Sequence, residues 1–444
     1  MKRMMYALAA VALLVGLLPT GAAASGPDGP QPNAKPHTEP YYYVDEASLP
    51  FAPVPGLTDQ QYWGVLGGAG YRIEVPVNWN GDLVLWAHGY RGEGQELTVD
   101  NHPLRLYLLS QGFAWAASSY SENGYAVAEG VRDTMTLLHR FAGIVEKPAK
   151  VYMTGASMGG HVTGVAIEQF PDQFAGAMPI CGVMGDRELF DYFLDYNVVA
   201  AALADVGPVF PAPADYLTDE VPAIKDALWT SFPNVPNGLG LALAGVTEQR
   251  SGGDRPLFDI GFVSWADFLF TLNGDGSING LLNGNVSGNL GTTYQVDADP
   301  ALSGIEQQIN TDVQRVGADR HLRVAKGLTE VPEITGDLRI PTVSLHTLGD
   351  LFVPFSMEQI WAREVADHGA SDLLVQRAIR DVGHCGFSAT ELVTAFAELV
   401  AWVEHGIVPA GDVVLDPTVV DDADYGCQFT TPLRSYDPGG CAGE

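Results

Sequence analysis

Short apolar segments alternate with helical patterns over much of this 444-residue chain, and this alternation restricts the fold more than any other feature. Strands that are separated by helices form a mostly parallel sheet that is covered by helices on both faces. Strands are predicted at residues 71–76, 82–87, 113–119, 150–154, 174–181, 340–346 and 373–379. Helices are predicted at residues 103–111, 125–145, 158–170, 356–367 and 389–405. We therefore expect an α/β fold with one central sheet.

The alternation stops between residues 186 and 336. This segment contains helical patterns at 188–204 and 223–231, separated by loops rich in glycine and asparagine. It follows a strand, and α/β sheets bind ligands beyond the carboxyl ends of their strands. We predict that it forms an inserted cap, or lid, over the site, the alternative being that it only decorates the fold. The core then consists of residues 59–185 and 337–405.

The first 24 residues have the pattern of a secretory signal peptide, with Lys2 and Arg3 before an apolar run that ends near an Ala-x-Ala motif at Ala24. The apolar run is shorter than the roughly 20 residues that a membrane-spanning helix needs. We expect a mature protein without a membrane span, secreted to the extracellular space or the periplasm. Residues 25–58 are crowded with proline, which predicts an extended N-terminal lead-in.

The charge of the chain argues against two classes of partner. Acidic residues number 54 against 23 basic ones, which gives a formal net charge of −31. Nucleic acids and anionic membranes carry charge of the same sign, so we expect neither as a partner. The acidic composition indicates a strongly solvated surface and says nothing about catalysis.

Four cysteines are expected to form disulfides in an exported protein. Four cysteines allow three pairings. Cys427 and Cys441 flank part of the polar C-terminal tail, residues 406–444, which no core would otherwise hold. Pairing these two leaves Cys181 with Cys385.

A candidate nucleophile lies in the sequence VYMTGASMGGH, residues 151–161. An apolar strand runs into Gly155-Ala-Ser157-Met-Gly159, and a helical pattern follows, which fits the G-x-S-x-G nucleophile elbow. A serine hydroxyl is a weak nucleophile at neutral pH and needs an adjacent base. The rest of the chain must therefore supply a base, an orienting acid and an oxyanion hole.

An acid and a base follow Ser157 in the expected order. Asp350 comes after the strand predicted at 340–346, and His384 comes after the strand predicted at 373–379. The order Ser, Asp, His is that of one hydrolase class and differs from the orders of the chymotrypsin and subtilisin types. Asp381 is an alternative acid, although it lies only three residues before His384.

An oxyanion hole needs two main-chain N–H groups that point at the developing charge. Met158, directly after the serine, is predicted to supply one. Tyr90, in the loop after the strand predicted at 82–87, is predicted to supply the other. Arg91 could hold a substrate carboxylate, although a structural ion pair is the preferred interpretation. His88 is expected to shape this loop.

Two further histidines near these motifs are interpreted as structural. His346 lies inside a predicted strand and is expected to pack near the site. His161 begins the second turn of the helix after Ser157 and is expected to point away from the serine.

With these motifs the sequence resembles the α/β-hydrolase superfamily over residues from about 59 to 185 and from about 336 to 405. The resemblance implies an α/β-hydrolase fold and assigns the nucleophile, acid and base roles to Ser157, Asp350 and His384. The chain also looks like secreted esterases of the feruloyl-esterase-like and prolyl-oligopeptidase-like groups. The pair His384-Cys385 resembles the one in tannases, in which the cysteine after the catalytic histidine forms a disulfide with a cysteine directly before the serine. The residue directly before the serine is here Ala156, which cannot form that disulfide. Cys181 could take the place of the missing cysteine.

The sequence thus predicts a secreted serine hydrolase that cleaves carboxylic esters through an acyl-enzyme, on a small-molecule or oligomeric substrate with bulky or aromatic groups. The alternatives are a serine peptidase of the prolyl-oligopeptidase type, an acyltransferase, and a non-catalytic binding protein, which would normally lack a triad residue. No cofactor or metal is expected. Residues 273–279 imitate part of a calcium loop, but its end positions, Thr271 and Leu282, lack the carboxylates that calcium needs.

Overall fold

The computed structural model describes residues 42–324, 327–437 and 441. The strands are β1 (Tyr43–Val44), β2 (Thr58–Leu66), β3 (Ala69–Pro76), β4 (Leu83–Ala87), β5 (Glu96–Leu97), β6 (Ala114–Ser118), β7 (Val151–Ala156), β8 (Gly176–Ile180), β9 (Trp229–Ser231), β10 (Val235–Pro236), β11 (Thr342–Thr347) and β12 (Leu374–Ile379). The helices are α1 (Arg105–Ser110), α2 (Val127–Ile144), α3 (Met158–Gln169), α4 (Glu188–Leu203), α5 (Val221–Leu228), α6 (Gly238–Ser251), α7 (Phe258–Phe270), α8 (Gly304–Asp312), α9 (Arg320–Arg323), α10 (Ser356–Asp367), α11 (Ala389–His405) and α12 (Pro417–Val420).

Eight strands form the central sheet, in the order β12-β11-β8-β7-β4-β6-β3-β2. The strands from β12 to β6 are parallel, and β3 and β2 add an antiparallel edge. Helices α2, α3 and α10 contribute to the apolar core on one face, and α1 and α11 to the core on the other. All residues of β6 and β8 and all of β4 except the partly buried Trp86 are buried, because both faces of the sheet are covered. The predicted α/β fold with a mostly parallel sheet is confirmed.

The edge strand β2 was not predicted from the sequence. Four residues of its sequence, TDQQYWGVL, are exposed: the polar Asp59 and Gln60 and the apolar Trp63 and Val65. In the described sheet this strand has a neighbour on one side only. The lead-in before it packs against the core: β1 pairs with β5, Leu49 is buried, and the ring of Phe51 lies 5.6 Å from that of Trp115. The predicted signal peptide lies outside the described residues. Within the described ranges, no helix has both the length and the apolar character needed to span a bilayer.

The segment predicted as a cap contains helices α4 to α9 and the β9–β10 pair. The helix predicted at 223–231 ends at Leu228, and its last residues form β9. Helices α6, α7 and α8 were not predicted from the sequence, since glycines interrupt α6 and aromatic residues are frequent in α7. The cap has an aromatic core of its own, in which Tyr196 and Trp229 pack against Phe270.

Candidate active site

Ser157 lies in the sharp turn between β7 and α3, with φ 59° and ψ −123°. A non-glycine residue in this region costs of the order of 1–3 kcal/mol and persists only where its surroundings impose it. The two flanking glycines are required by close packing. A Cβ on Gly155 would lie 2.1 Å from the carbonyl oxygen of Gly159, and one on Gly159 would lie 2.1 Å from that of Ala87. The motif therefore exposes the serine at the carboxyl end of a central strand.

His384 joins Ser157 to Asp350 by two hydrogen bonds. Its Nε2 lies 2.8 Å from Ser157 Oγ, and its Nδ1 lies 2.6 Å from Asp350 Oδ2. Asp350 is fully buried, and its other oxygen accepts hydrogen bonds from the main-chain N–H groups of Phe352 and Val353. In this arrangement His384 can take the serine proton while the carboxylate orients the ring and stabilises its cation.

The other candidate acids and histidines have structural partners. Asp381 forms an ion pair with Arg434, at 2.6 Å. His346 Nε2 lies 2.8 Å from the carbonyl oxygen of Val353, so this ring supports the turn that carries Asp350. His161 bonds Tyr125 and a main-chain carbonyl, and burial lowers its pKa to about 4. Both of its ring nitrogens are thus bonded to groups other than Ser157, so His161 is no base for this serine.

The loop after β4 lies against the elbow. A Cβ on Gly89 would be 3.1 Å from Ser157 Cβ, so this loop approaches the serine closely. Tyr90 and Met158 line the same cavity as Ser157. Across the described part of the chain, neither main-chain N–H donates to a loop carbonyl or to a side chain, which leaves both available to an oxyanion.

Arg91 is held by its own loop. Its guanidinium forms an ion pair with Asp100 and donates to the carbonyl and hydroxyl oxygens of Thr98. It does not line the cavity beside Ser157. The preferred interpretation from the sequence, a structural ion pair, matches this arrangement. His88 stacks on Tyr120 with ring centroids 3.9 Å apart and so helps to shape the loop.

Two disulfides are present, Cys181–Cys385 and Cys427–Cys441. The first ties the residue after His384 to the end of β8, next to the strand that carries Ser157. Cys181 N–H also donates to Leu345 O of β11 at 2.7 Å. These cysteines and His384 lie close together, but a disulfide offers no thiolate to a metal ion.

The sheet order, the elbow after β7 and the positions of Asp350 after β11 and His384 after β12 together determine the fold. The chain has the α/β-hydrolase fold. No protein-family model matches it.

Among curated proteins, the chain is similar to the o-phthalyl amidase of Xanthobacter agilis, with 22% identity over 399 residues, 77% of this chain and 87% of the relative. Among solved structures, feruloyl esterase B from Aspergillus oryzae has a TM-score of 0.47 and 15% identity, over 80% of this chain and 82% of that one. The Pyrococcus horikoshii acylaminoacyl peptidase has a TM-score of 0.38 and 10% identity, over 82% of this chain and 44% of that one. These three proteins are an amidase, an esterase and a peptidase by name.

A cavity of about 180 Å³ opens beside Ser157, between the α/β-hydrolase core and the cap. Its lining is mainly apolar and includes Phe190, Phe193, Phe210 and Phe352. Phe352 also contacts His384, with ring centroids 5.0 Å apart. Among the aromatic residues of the cap, Phe190 and Phe193 line the cavity, whereas Trp229 and Phe270 belong to the core of the cap. Phe210 and Phe352 were not predicted, because no local pattern relates them to Ser157.

The cap is anchored to the loops that carry Asp350 and His384. Trp265 Nε1 in α7 donates to Val382 O at 2.8 Å, two residues before His384. Arg255 is buried and its Nε donates to Leu348 O at 2.7 Å, two residues before Asp350. The cap therefore contributes to the position of both loops as well as to the cavity.

The C-terminal tail holds the His384 loop from the other side. Arg434 Nε donates to Asp381 at 2.6 Å, and its Nη2 donates to Gly386 O at 2.8 Å and to the buried Glu391 at 2.9 Å. The pKa of Arg434 is raised by the Glu391 and Asp381 carboxylates despite partial burial. Arg434 was not predicted from the sequence, because it lies in a tail that was expected to have no core contacts.

Replacing Arg434 by alanine is expected to lower kcat about tenfold with little change in KM, because both sides of the His384 loop lose a partner while the cavity stays intact. Loss of the buried pair with Glu391 should also lower the free energy of unfolding by about 3 kcal/mol. Ester kinetics and urea unfolding measure the two effects. R434K keeps the charge and should recover part of kcat. R339A, which removes an exposed ion pair with Asp337, is the control. An R434A protein with the native kcat would contradict the role of Arg434 in positioning the His384 loop.

Proposed function

We propose that this protein is a serine hydrolase that cleaves carboxylic esters through a covalent acyl-enzyme. The observation that carries the proposal is the chain of two hydrogen bonds, 2.8 Å and 2.6 Å long, that runs from Ser157 through His384 to Asp350 beside an aromatic cavity. Nucleophile, base and orienting acid are the three groups that acyl transfer from a serine requires.

In the proposed reaction, His384 Nε2 takes the proton from Ser157 Oγ as the oxygen attacks the ester carbonyl. The N–H groups of Tyr90 and Met158 stabilise the oxyanion of the tetrahedral intermediate. His384 then gives its proton to the leaving alcohol, which departs and leaves the acyl group on Ser157. Water, deprotonated by His384, attacks this acyl-enzyme, and the collapse of the second intermediate releases the acid and restores the serine.

Export from the cytoplasm is part of the proposal. The N-terminal pattern that ends at Ala24 supports it, and so do the two disulfides, because disulfides persist in oxidising compartments. The formal net charge of −31 is expected to repel nucleic acids and anionic membrane surfaces, which carry charge of the same sign.

Amide hydrolysis is the second candidate, favoured by the similarity to an amidase. The same three residues would serve both reactions, and the difference lies in whether the leaving amine is protonated as it departs. A set of para-nitrophenyl esters of increasing acyl length and aromaticity, assayed beside para-nitroanilides of the same acids, separates the two.

We expect turnover of the esters that disappears in S157A protein, with the anilides cleaved far more slowly. Faster cleavage of the anilides would put amide hydrolysis first. Absence of Ser157-dependent turnover on both sets would contradict the hydrolase proposal.

A further inference from the structure

A second histidine and a second carboxylate lie buried behind the turn that carries Asp350. His346 in β11 and Glu358 in α10 are 0% and 1% exposed. His346 Nδ1 lies 3.5 Å from Glu358 Oε1, which is within ion-pair distance but long for a hydrogen bond. Neither residue takes part in the proposed acyl transfer, and neither lines the cavity beside Ser157. The pair can therefore act on the site only through its charge and its contacts.

Glu358 accepts hydrogen bonds on both carboxylate oxygens, as an ionised carboxylate does. Its Oε1 accepts from Ser344 Oγ and its Oε2 from Gln376 Nε2, each at 2.6 Å. Both donors are neutral, and within residues 42–324 and 327–437 no arginine or lysine pairs with this carboxylate. A buried charge without a counter-charge is costly. A positive charge on His346 would remove this cost.

The surroundings of His346 fit a ring that carries a proton on each nitrogen. Nε2 lies 2.8 Å from the carbonyl oxygen of Val353, which can only accept, so Nε2 carries a proton. Nδ1 faces Glu358, and a proton on Nδ1 completes the imidazolium. Burial alone would lower the pKa of His346, but the carboxylates of Glu358 and Asp350 outweigh burial and raise this pKa above its ordinary value.

One residue, Val353, links this pair to the proposed triad. Its carbonyl oxygen accepts from His346, and its N–H donates to Asp350 Oδ1 at 3.1 Å. The other oxygen of Asp350 lies 2.6 Å from His384 Nδ1. The pair thus presents its positive end to Asp350, while its negative end lies on α10. A cation in this position stabilises the ionised Asp350 and opposes a second positive charge on His384.

The other titratable groups that face this cluster keep their charge between about pH 5 and pH 8, where histidine changes its own. Arg255 and Tyr192 of the cap face Asp350, and Tyr425 of the tail faces Glu358. Burial lowers the pKa of Arg255 to about 10 and raises the pKa of both tyrosines above its ordinary value. Changes of charge in this range therefore belong to the two histidines and the two carboxylates.

We propose that His346 is a positioning residue that stays charged over this range: its imidazolium, paired with Glu358, holds the Asp350 turn and keeps His384 free of a proton down to a lower pH. The inference rests on the proposed function for the role of His384 as the base. It adds that a charge behind Asp350 sets the lower pH limit of activity.

Nuclear magnetic resonance of ¹⁵N-labelled histidine rings reads these charges without any turnover. His346 is expected to carry a proton on both nitrogens from about pH 5 to about pH 8. In E358Q the ring should become neutral, because the amide can donate to Nδ1 where the carboxylate accepted, while the bond to Val353 remains. The signal is assigned by its loss from H346Q/E358Q, which removes both charges together and so leaves no unpaired buried charge.

The same spectra follow His384, whose signal is assigned by its loss from H384A. In E358Q this ring should take up its proton at a pH higher by about half a unit, since the cation that opposed protonation is gone. The acid limb of kcat/KM for the best para-nitrophenyl ester should move to higher pH by the same amount. E74Q is the matched control, because Glu74 is a buried carboxylate paired with Arg105 near the other edge of the sheet.

A neutral His346 in the native protein would refute the proposal, and so would a His384 that takes up its proton at the same pH in native and E358Q protein. Both expected spectra in a protein without Ser157-dependent turnover would support the charged pair and refute the proposed function. Ester hydrolysis whose acid limb does not move in E358Q, or moves equally in E74Q, would refute the proposal alone.

Discussion

Replacing Ser157 by alanine is expected to lower kcat for ester hydrolysis by roughly 10⁴- to 10⁶-fold. The side chain supplies the attacking oxygen in the proposed mechanism, and at 2.8 Å its Oγ is the partner of His384 Nε2. Alanine also fits the turn sterically, since it keeps a Cβ and removes only the hydroxyl. Steady-state kinetics on the best para-nitrophenyl ester, with the folded fraction checked by circular dichroism, measures the effect.

The double variant S157A/H384A gives a sharper result than either single variant. When two residues act as one unit, the effects of replacing each on kcat are not additive in free energy. The kcat of the double variant should therefore lie within about threefold of that of S157A alone. S264A is the matched control, because Ser264 is exposed on α7 and its hydroxyl bonds only the main chain of its own helix. If S157A kept more than about a tenth of the activity, the nucleophile would be a different group. If the two losses multiplied, Ser157 and His384 would act independently, which would contradict the proposed proton transfer between them.

Local signals explain why much of the core could be predicted. The helices predicted at 356–367 and 389–405 have these bounds in the structure, and the second begins with a capping box of Ser388 and Glu391. That Ser157, Asp350 and His384 lie close together could be predicted because parallel strands bring their carboxyl ends to one edge of the sheet. The strand order then places residues far apart in sequence within hydrogen-bond distance.

Long-range packing determines the parts that the sequence did not reveal. Asn273 and Ser287 sit in irregular loops, and nothing in their immediate sequence indicates that both line the cavity. Arg434 belongs to no strand of the sheet, so the strand pattern does not indicate its position. It contacts the His384 loop because the C-terminal tail folds back to that loop. In each case the partner lies on another element, so neither periodicity nor a motif carries the information.

Removing the Cys181–Cys385 disulfide is expected to lower both stability and kcat. The two cysteines are 204 residues apart, and closing a loop of that length removes chain entropy worth about 5 kcal/mol from the unfolded state. The bond also fixes the residue next to His384, so its loss should let the ring leave hydrogen-bond distance of Ser157. The double variant C181A/C385A should therefore show a lower urea midpoint and a kcat reduced by about tenfold or more, measured well below its melting temperature.

The second disulfide provides the matched control. Cys427 and Cys441 are 14 residues apart, for which the same relation gives about 3 kcal/mol, and neither adjoins a residue of the proposed triad. C427A/C441A should lose stability but keep kcat within about twofold, because Arg434 retains its own contacts with Asp381 and Glu391. Equal losses of kcat in the two variants would mean that the first disulfide acts on stability alone. A loss confined to C181A/C385A would assign it to the position of His384, since the two variants share the same chemical change and differ in where the covalent bond is broken.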